Sequence, residues 1–282
     1  VIMKPKILAV GHACLDIVHS VPRIPKPNTK VASKDVTIQI GGNAANVAAA
    51  LCDMGADAHL CTVFGSEHHP FTRILVALLA QRHVKTKLCR FDDTQPGPSS
   101  TIMVMDDGER AIMNWQGDAI RSAVAVPDDV SKYDIVVADA YRLPMVRQVF
   151  DLARKAGVPT MIDVDGPITD VGLIPAADHI WFSEEAWRGQ RIPLEDLHSR
   201  FGGIVGITDG DRPVRWIDLH GKVHYQQPLN VVPKNTLGAG DVFRARLGLG
   251  LCIGEDTGTA ISKACAAAAN HITGQALEQV CQ

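Results

Sequence analysis

Asn235-Thr236-Leu237-Gly238-Ala239-Gly240-Asp241 is the stretch on which the reading of this chain turns. A strand-like run (Leu229, Val231, Val232) precedes it, and an apolar, helix-compatible run from Val242 to Cys252 follows. Its two glycines let the backbone come close to a ligand and take turns that a Cβ forbids. The first amides of the following helix lack intrahelical partners and carry the positive end of its dipole. The turn therefore offers a seat for a phosphate or a developing anion. Asp241 falls in the first helical turn, where a carboxylate can take a proton from a substrate hydroxyl. Two readings stand on these residues alone. One is an anion cradle with an adjoining base, the minimum for moving a phosphoryl group onto an alcohol. The other is a glycine-rich turn whose aspartate caps a helix.

The 282 residues suit one large domain, or one domain with a small appendage, and are enough for a substantial core. A composition 46% hydrophobic and 21% charged is that of a soluble globular protein. A net charge of −3 gives no electrostatic case for nucleic acid or an acidic membrane. No apolar run approaches the roughly 20 residues of a bilayer span, and Val1-Ile2-Met3-Lys4-Pro5-Lys6 lacks the apolar core of a signal peptide. Seven irregularly spaced cysteines point to reduced thiols in a cytoplasmic protein. Cys14, Cys52, Cys61, Cys252 and Cys265 read as small core residues. His68-His69, with no Cys/His cluster at metal spacing, reads as an exposed loop.

Buried strands are expected at Lys6–Val10, Ala58–Phe64 and Val84–Arg90, and helices at Asn43–Met54 and Pro70–Gln81. Val31–Ile40 alternates enough for a half-exposed strand. Thr101–Met105 and Ala111–Asn114 flank an Asp107-Gly108 turn signal and read as a hairpin that pairs with it. Beyond Asp128 the pattern becomes regular. Strands are expected at Asp134–Ala138, Pro159–Val164, His179–Phe182 and Gly203–Ile207, with helices at Pro144–Ala156 and Pro193–Arg200. A hairpin around His220-Gly221 and a final helix at Ala260–Ile272 complete the reading. Strands alternating with helices imply a parallel sheet covered on both faces. Asp16 follows the first strand's carboxyl end, where α/β proteins bind ligands.

Gly238-Ala239-Gly240-Asp241 resembles the C-terminal signature D-T-x-G-A-G-D of the ribokinase-like (PfkB) carbohydrate kinases. Gly41-Gly42-Asn43-Ala44-Ala45-Asn46 resembles their N-terminal signature, and the two stand in the family's order over nearly the whole chain. The resemblance implies an α/β, ribokinase-like three-layer sandwich with a parallel-dominated central sheet and a small β lid. Residues 1–282 then form a single kinase domain, its lid made by insertions around 17–40 and 99–115. The apolar face of such a lid implies a homodimer through it. The implied reaction is transfer of the γ-phosphate of ATP to a sugar hydroxyl, with Mg²⁺ bridging ATP phosphates. Asp241 takes the proton, and the turn Gly238, Ala239, Gly240 stabilises charge on the transferring group. Asp16, Gly41, Gly42 and Asn46 fall on the sugar side. Gly206-Ile207-Thr208-Asp209-Gly210 resembles the V-T-x-G turn near the nucleotide phosphates. Ser183, Thr208, Gly210 and Asn270 fall on the nucleotide side, and Glu184 and Glu185 stand close enough to reach the metal through water.

Within the family the text is similar to sulfofructose kinases. Gly108-Glu109-Arg110 leading to Asn114, Val137-Ala138-Asp139 leading to Arg142, and Phe182-Ser183-Glu184 carry that likeness. Arg142 offers a planar fork of donors to a sulfonate or phosphate, with Lys30 and Asn114 completing the pocket. The implied acceptor is a ketose bearing an anion, such as 6-deoxy-6-sulfofructose. An Arg142 paired structurally to a carboxylate, a solvated Lys30, and a neutral sugar, sugar phosphate or nucleoside as acceptor remain the alternatives.

The chain also departs from the family. Asn235 stands for the usual aspartate, Leu237 for a commonly polar residue, and Arg244 and Arg246 for small residues. Ser66 replaces the first aspartate of G-D-D, and Ala186 the glutamate of N-x-x-E. Asn270 runs almost directly to Gly274 without the usual glycine-rich segment. A sugar- or nucleotide-binding protein with little kinase activity is therefore the reading of a different class.

Overall fold

A computed structural model of the protein describes residues 4–106, 109–117, 120, 122–166, 170–190 and 192–280. The chain opens with β1 (Lys6–Val10), β2 (Cys14–Val21), β3 (Asp35–Gly41) and α1 (Asn43–Asp53). β4 (Asp57–Cys61), β5 (Val63–Gly65), α2 (Pro70–Gln81), β6 (Arg90–Asp92), β7 (Ser99–Met105), β8 (Arg110–Trp115) and β9 (Ile135–Asp139) follow. Then come α3 (Leu143–Ala156), β10 (Thr160–Val164), β11 (His179–Ser183), α4 (Glu184–Gln190), α5 (Leu194–Phe201) and β12 (Ile204–Asp209). β13 (Arg212–Ile217), β14 (Val223–Gln226), α6 (Ala239–Cys252) and α7 (Thr257–Ile272) end the order.

The main sheet has the order β14-β13-β12-β11-β10-β9-β1-β4. It is parallel from β12 to β4 and antiparallel at the β13 and β14 edge. Its central strands are apolar at nearly every position because both faces are covered. Ile7 and Ala9 enter the core shared with α1, α2, α6 and α7. Leu8 and Val10 enter the opposite core with α3 and α5. This alternation splits one strand between two hydrophobic layers and makes the sandwich three-layered. Helix ends follow local chemistry. His69 Nδ1 accepts from Phe71 N at 3.3 Å, ahead of Pro70 at the start of α2. Asp256 accepts from Thr259 N at 3.0 Å and caps α7.

A second sheet, β3-β2-β7-β8, lies over one end of the first as the lid of this fold. Here the structure corrects several sequence expectations. Asp16 lies within a lid strand, not in the loop after β1. The strand at Ser99–Met105 pairs with β2, not with β3, which lies on the other side of β2. The turn signal Asp107-Gly108 lies outside the described residues. The run Val84–Arg90 is not one continuous strand: Lys85 bridges His59 of β4, a turn follows with Cys89 N donating to Thr86 O at 2.9 Å, and regular pairing resumes at Arg90. Leu229, Val231 and Val232 form no strand, and Val232 is almost wholly exposed. No helix among the described residues is long and apolar enough to cross a membrane.

Candidate active site

A cleft of about 450 Å³ opens beyond the carboxyl ends of β10, β11 and β12, beneath the lid. Its floor is the amino end of α6. Gly238 precedes the helix in a left-handed conformation (φ 78°), which only a residue without Cβ takes at little cost. Ala239, Gly240 and Asp241 then present the first turn to the cleft. Asn46, one turn into α1, donates its amide Nδ2 to Asp241 Oδ2 at 2.9 Å. The two glycine signatures, at opposite ends of the chain, thus meet at one carboxylate. Loss of solvent and then the Asp163 charge push Asp241 up to about 8, against the opposing pull of Asn46 and Arg244.

The lid supplies another wall. Asp16 on β2 is buried and points into the cleft beside Cys14 and Ser100. Gly41 on β3 makes room for it, since a Cβ there would fall 2.1 Å from Asp16 Oδ1. Burial raises the Asp16 carboxyl from its ordinary value. It also raises the Cys14 thiol, which removes that sulfur as a nucleophile at neutral pH. Gly42 and Asn114 line the same space. Arg110, on β8, reaches across and donates to Thr236 Oγ1 of the signature loop at 3.3 Å.

Ser183, Thr208 and Gly210 also line the cleft. Ser183 Oγ accepts from Ala186 N at 3.2 Å and so ties the start of α4 to the end of β11. Glu184 faces the cleft, but its oxygens are held by Arg188 (2.6 Å) and Arg215 (3.0 Å). That suits contact with a hydrated cation better than direct coordination. Among the described residues no three His, Cys, Asp or Glu side chains gather as a metal site.

A cluster that sequence reasoning missed lies beside Asp241. Asp163 lies in β10 and Asp165 just beyond its end, and Asn43 Nδ2 donates to Asp163 Oδ2 at 3.3 Å and to Asp165 Oδ2 at 3.5 Å. Arg244 Nε sits 2.5 Å from Asp163 Oδ1. The same guanidinium donates to Gly240 O at 3.0 Å and to Thr208 Oγ1 at 3.5 Å. The available signal was an aspartate inside an otherwise apolar strand and an arginine inside an otherwise apolar helix, since each needs a buried partner.

Other expected site residues lie elsewhere. Arg142 is 1% exposed, outside the cleft lining, and donates to Ile120 O, its charge opposing the rise that burial gives the Asp139 carboxyl. The short helical turn Ala140–Arg142 carries the side chain into the protein. Lys30 is exposed on the segment between β2 and β3, off the cleft lining. Glu185 is exposed and Asn270 is half-buried; neither lines the cleft. Asn235, which stands for an aspartate, accepts from Leu237 N at 2.9 Å and shapes the loop. Arg246 forms a two-pronged pair with Glu255 at 2.9 and 3.0 Å.

Comparison with known proteins bears on the family and the fold. The profile of the pfkB family carbohydrate kinases matches residues 4–278. An ATP-dependent ribose-1-phosphate kinase of Halopiger xanaduensis is 27% identical over 85% of this chain and 82% of its own. The ribokinase of Bacillus subtilis is 23% identical over 90% and 88%. A crystal structure of a candidate ribokinase from Agrobacterium tumefaciens superposes with a TM-score of 0.88 at 26% identity, covering 96% of this chain and 92% of the other. The Arabidopsis thaliana ribokinase, solved with ribose and ATP, superposes at 0.76 and 21% identity over 96% and 93%, a likeness of fold.

Proposed function

This chain belongs to the pfkB family of carbohydrate kinases, and from that premise we propose that it transfers the γ-phosphoryl group of ATP to a hydroxyl of a small sugar bearing an anionic group. The observation that carries the proposal is the Asn46–Asp241 contact, which joins the amino ends of α1 and α6 in one cleft. The acceptor hydroxyl gives its proton to Asp241 as its oxygen bonds to the γ-phosphorus. The bond to the bridging oxygen breaks, and ADP leaves with that electron pair. The amides of Ala239, Gly240 and Asp241 face the charge on the transferring group. Mg²⁺ brought with ATP, held through water by Glu184, would neutralise the phosphate oxygens.

Arg110 supports an anionic acceptor such as 6-deoxy-6-sulfofructose or a sugar phosphate. Among the described residues, the arginines lining the cleft are Arg110 and Arg244, and Arg244 is committed to Asp163. The named substrate of the Halopiger relative is likewise a sugar phosphate. A neutral sugar such as ribose is the second reading, favoured by the carboxylates Asp16, Asp163, Asp165 and Asp241 in the same cleft. ATP consumption over ribose, ribose 1-phosphate, fructose 6-phosphate and 6-deoxy-6-sulfofructose separates the two. Arg110→Ala is expected to raise KM for the anionic acceptor about tenfold or more, as loss of a charged hydrogen bond does, and to leave KM for ATP nearly unchanged. Arg142→Ala should show no such selectivity. Equal effects of Arg110→Ala on both substrates would remove it from acceptor binding.

The lid also supports a homodimer. Val36 and Ile38 on β3 and Met113 and Trp115 on β8 are exposed apolar side chains on one face of that small sheet, whereas Ile112 lines the cleft on the other. Sedimentation should give twice the chain mass, and Ile38→Lys with Met113→Lys should halve it; a wild-type monomer at micromolar concentration would refute the pairing. The six cysteines among the described residues are all free, which favours a reducing compartment such as the cytoplasm for this reaction.

A further inference from the structure

Arg244 lies three residues beyond Asp241, on the first turns of α6, where a cation opposes the helix dipole. It is also 3% exposed, so its charge is stripped of water. Something in the cleft has to make that position tolerable. Asp163, equally buried, does so through the 2.5 Å contact with Arg244 Nε. The other arms of the guanidinium reach back along the helix to Gly240 O (3.0 Å) and across to Thr208 Oγ1 (3.5 Å). One side chain therefore links the end of β10, the end of β12 and the peptide immediately before Asp241. A planar fork can do this and a lysine ammonium cannot.

The groups that face Asp241 come from every neighbouring element: Asn46 on α1, Asp163 on β10, Asp165 just after it, Tyr141 on the turn after β9, and Arg244 on α6. His271 on α7 stands across the cavity behind it, its Nε2 within 2.8 Å of Leu237 O. Of these, Asp163 and Arg244 are a carboxyl and a guanidinium held in contact; burial pushes the Asp163 carboxyl up to about 7, against the opposing pull of Arg244 and Asn43. We propose that the Asp163–Arg244 ion pair is the positioning unit that sets the proton affinity of Asp241 and fixes the Gly240 peptide of the cradle. This rests on the kinase reading above, in which Asp241 takes the acceptor's proton. With both partners present they act on Asp241 in opposite directions, Asp163 raising its proton affinity and Arg244 lowering it. Removing either one unmasks the other.

The test is the pH dependence of kcat/KM with an accepted sugar that has no group titrating between about pH 5 and 9, such as the sulfonate 6-deoxy-6-sulfofructose or neutral ribose. Its acid limb reports the free enzyme's base. Arg244→Gln leaves Asp163 uncompensated, so the acid limb moves to higher pH by about one unit, the size a close like charge produces. Asp163→Asn leaves Arg244 uncompensated, so the limb moves to lower pH by a similar amount. The double variant lies between the two single variants. Arg244→Lys keeps the limb but lowers kcat, because the contacts to Gly240 and Thr208 are lost. A role in stability alone lowers the melting temperature and moves neither limb. Limbs that stay put, or that move the same way in both single variants, overturn the proposal. If a variant turns over too slowly, ¹³C NMR of labelled aspartate carboxyls, with Asp241→Asn as the assignment reference, gives the same shifts. If Arg244→Gln does not fold, Asp163→Asn and Arg244→Lys decide the matter. A wild-type protein that phosphorylates no acceptor refutes the kinase reading; an active one with unmoved limbs refutes only the ion-pair role.

Discussion

Replacing Asp241 by asparagine is expected to cut turnover by about 10²–10⁴-fold, the usual worth of a positioned general base, with the fold and nucleotide binding retained. The amide is the same size as the carboxyl and still faces Asn46 Nδ2 through its oxygen. What it lacks is a basic site for the acceptor's proton. The wild-type pH profile should carry the same signature. Asp241 is pushed up to about 8 by loss of solvent and by Asp163, and only the unprotonated form accepts a proton. The rate therefore rises with pH and levels above about 8. Stability runs the other way. A carboxyl whose folded value lies above its unfolded value of about 3.9 favours the fold fully below that lower value and loses this contribution as pH rises towards the folded value. Asp241→Asn does not titrate, so it should gain stability over wild type between about pH 4 and 8. Steady-state kinetics and denaturant titrations at pH 6 and 8 check both statements. Near-normal turnover would remove Asp241 from the chemistry.

The same residues explain what the sequence disclosed and what it withheld. Lys6–Val10 and Pro70–Gln81 are observed with the expected bounds. The first is an unbroken apolar run buried on both faces, and the second opens at a proline. The glycine signatures were legible because their backbone role is local. β2 was not, since Asp16, His19 and Ser20 interrupt its apolar pattern. One face of β2 turns Cys14 and Asp16 to the cleft, so the apolar periodicity fails there. Asp163 was hidden for the opposite reason. Thr160–Val164 reads as core, and it is core except for that one carboxylate. Its partner Arg244 is eighty-one positions away (244 − 163), and only the sheet order brings β10 beside the cradle. Arg142 shows the limit of the strand-end rule. The rule names the end of the sheet where ligands gather, but the turn that follows β9 decides which way a side chain points.

Asp139→Ala is expected to destabilise the protein by on the order of 4 kcal/mol. Asp139 is the last residue of β9 and is buried. Its Oδ2 accepts from His12 N at 2.7 Å and from Ala44 N at 3.0 Å, and its Oδ1 from Tyr141 N at 3.0 Å. Ala44 N belongs to the first turn of α1, whose own cap residue, Gly42, has no side chain to offer. Tyr141 N begins the helical turn that Asp139 caps directly. One carboxylate thus ends two helical segments and ties the loop after β1 to both. Truncation leaves three interior N–H groups without this acceptor, each worth about 1–3 kcal/mol when unsatisfied, and the nearby Arg142 loses a compensating charge. For a chain of this size the melting temperature should fall by on the order of 10 °C. Asp139→Asn keeps one oxygen and should lie between. Burial pushes the Asp139 carboxyl up to about 6, against the three amides and Arg142. The wild type's margin over Asp139→Asn should then narrow as pH rises from about 4 through 6. Activity should fall further than stability alone explains, because α1 carries Asn43 and Asn46 into the cleft. An unchanged melting temperature in Asp139→Ala would show that water or other groups satisfy those amides and that α1 is positioned by packing alone.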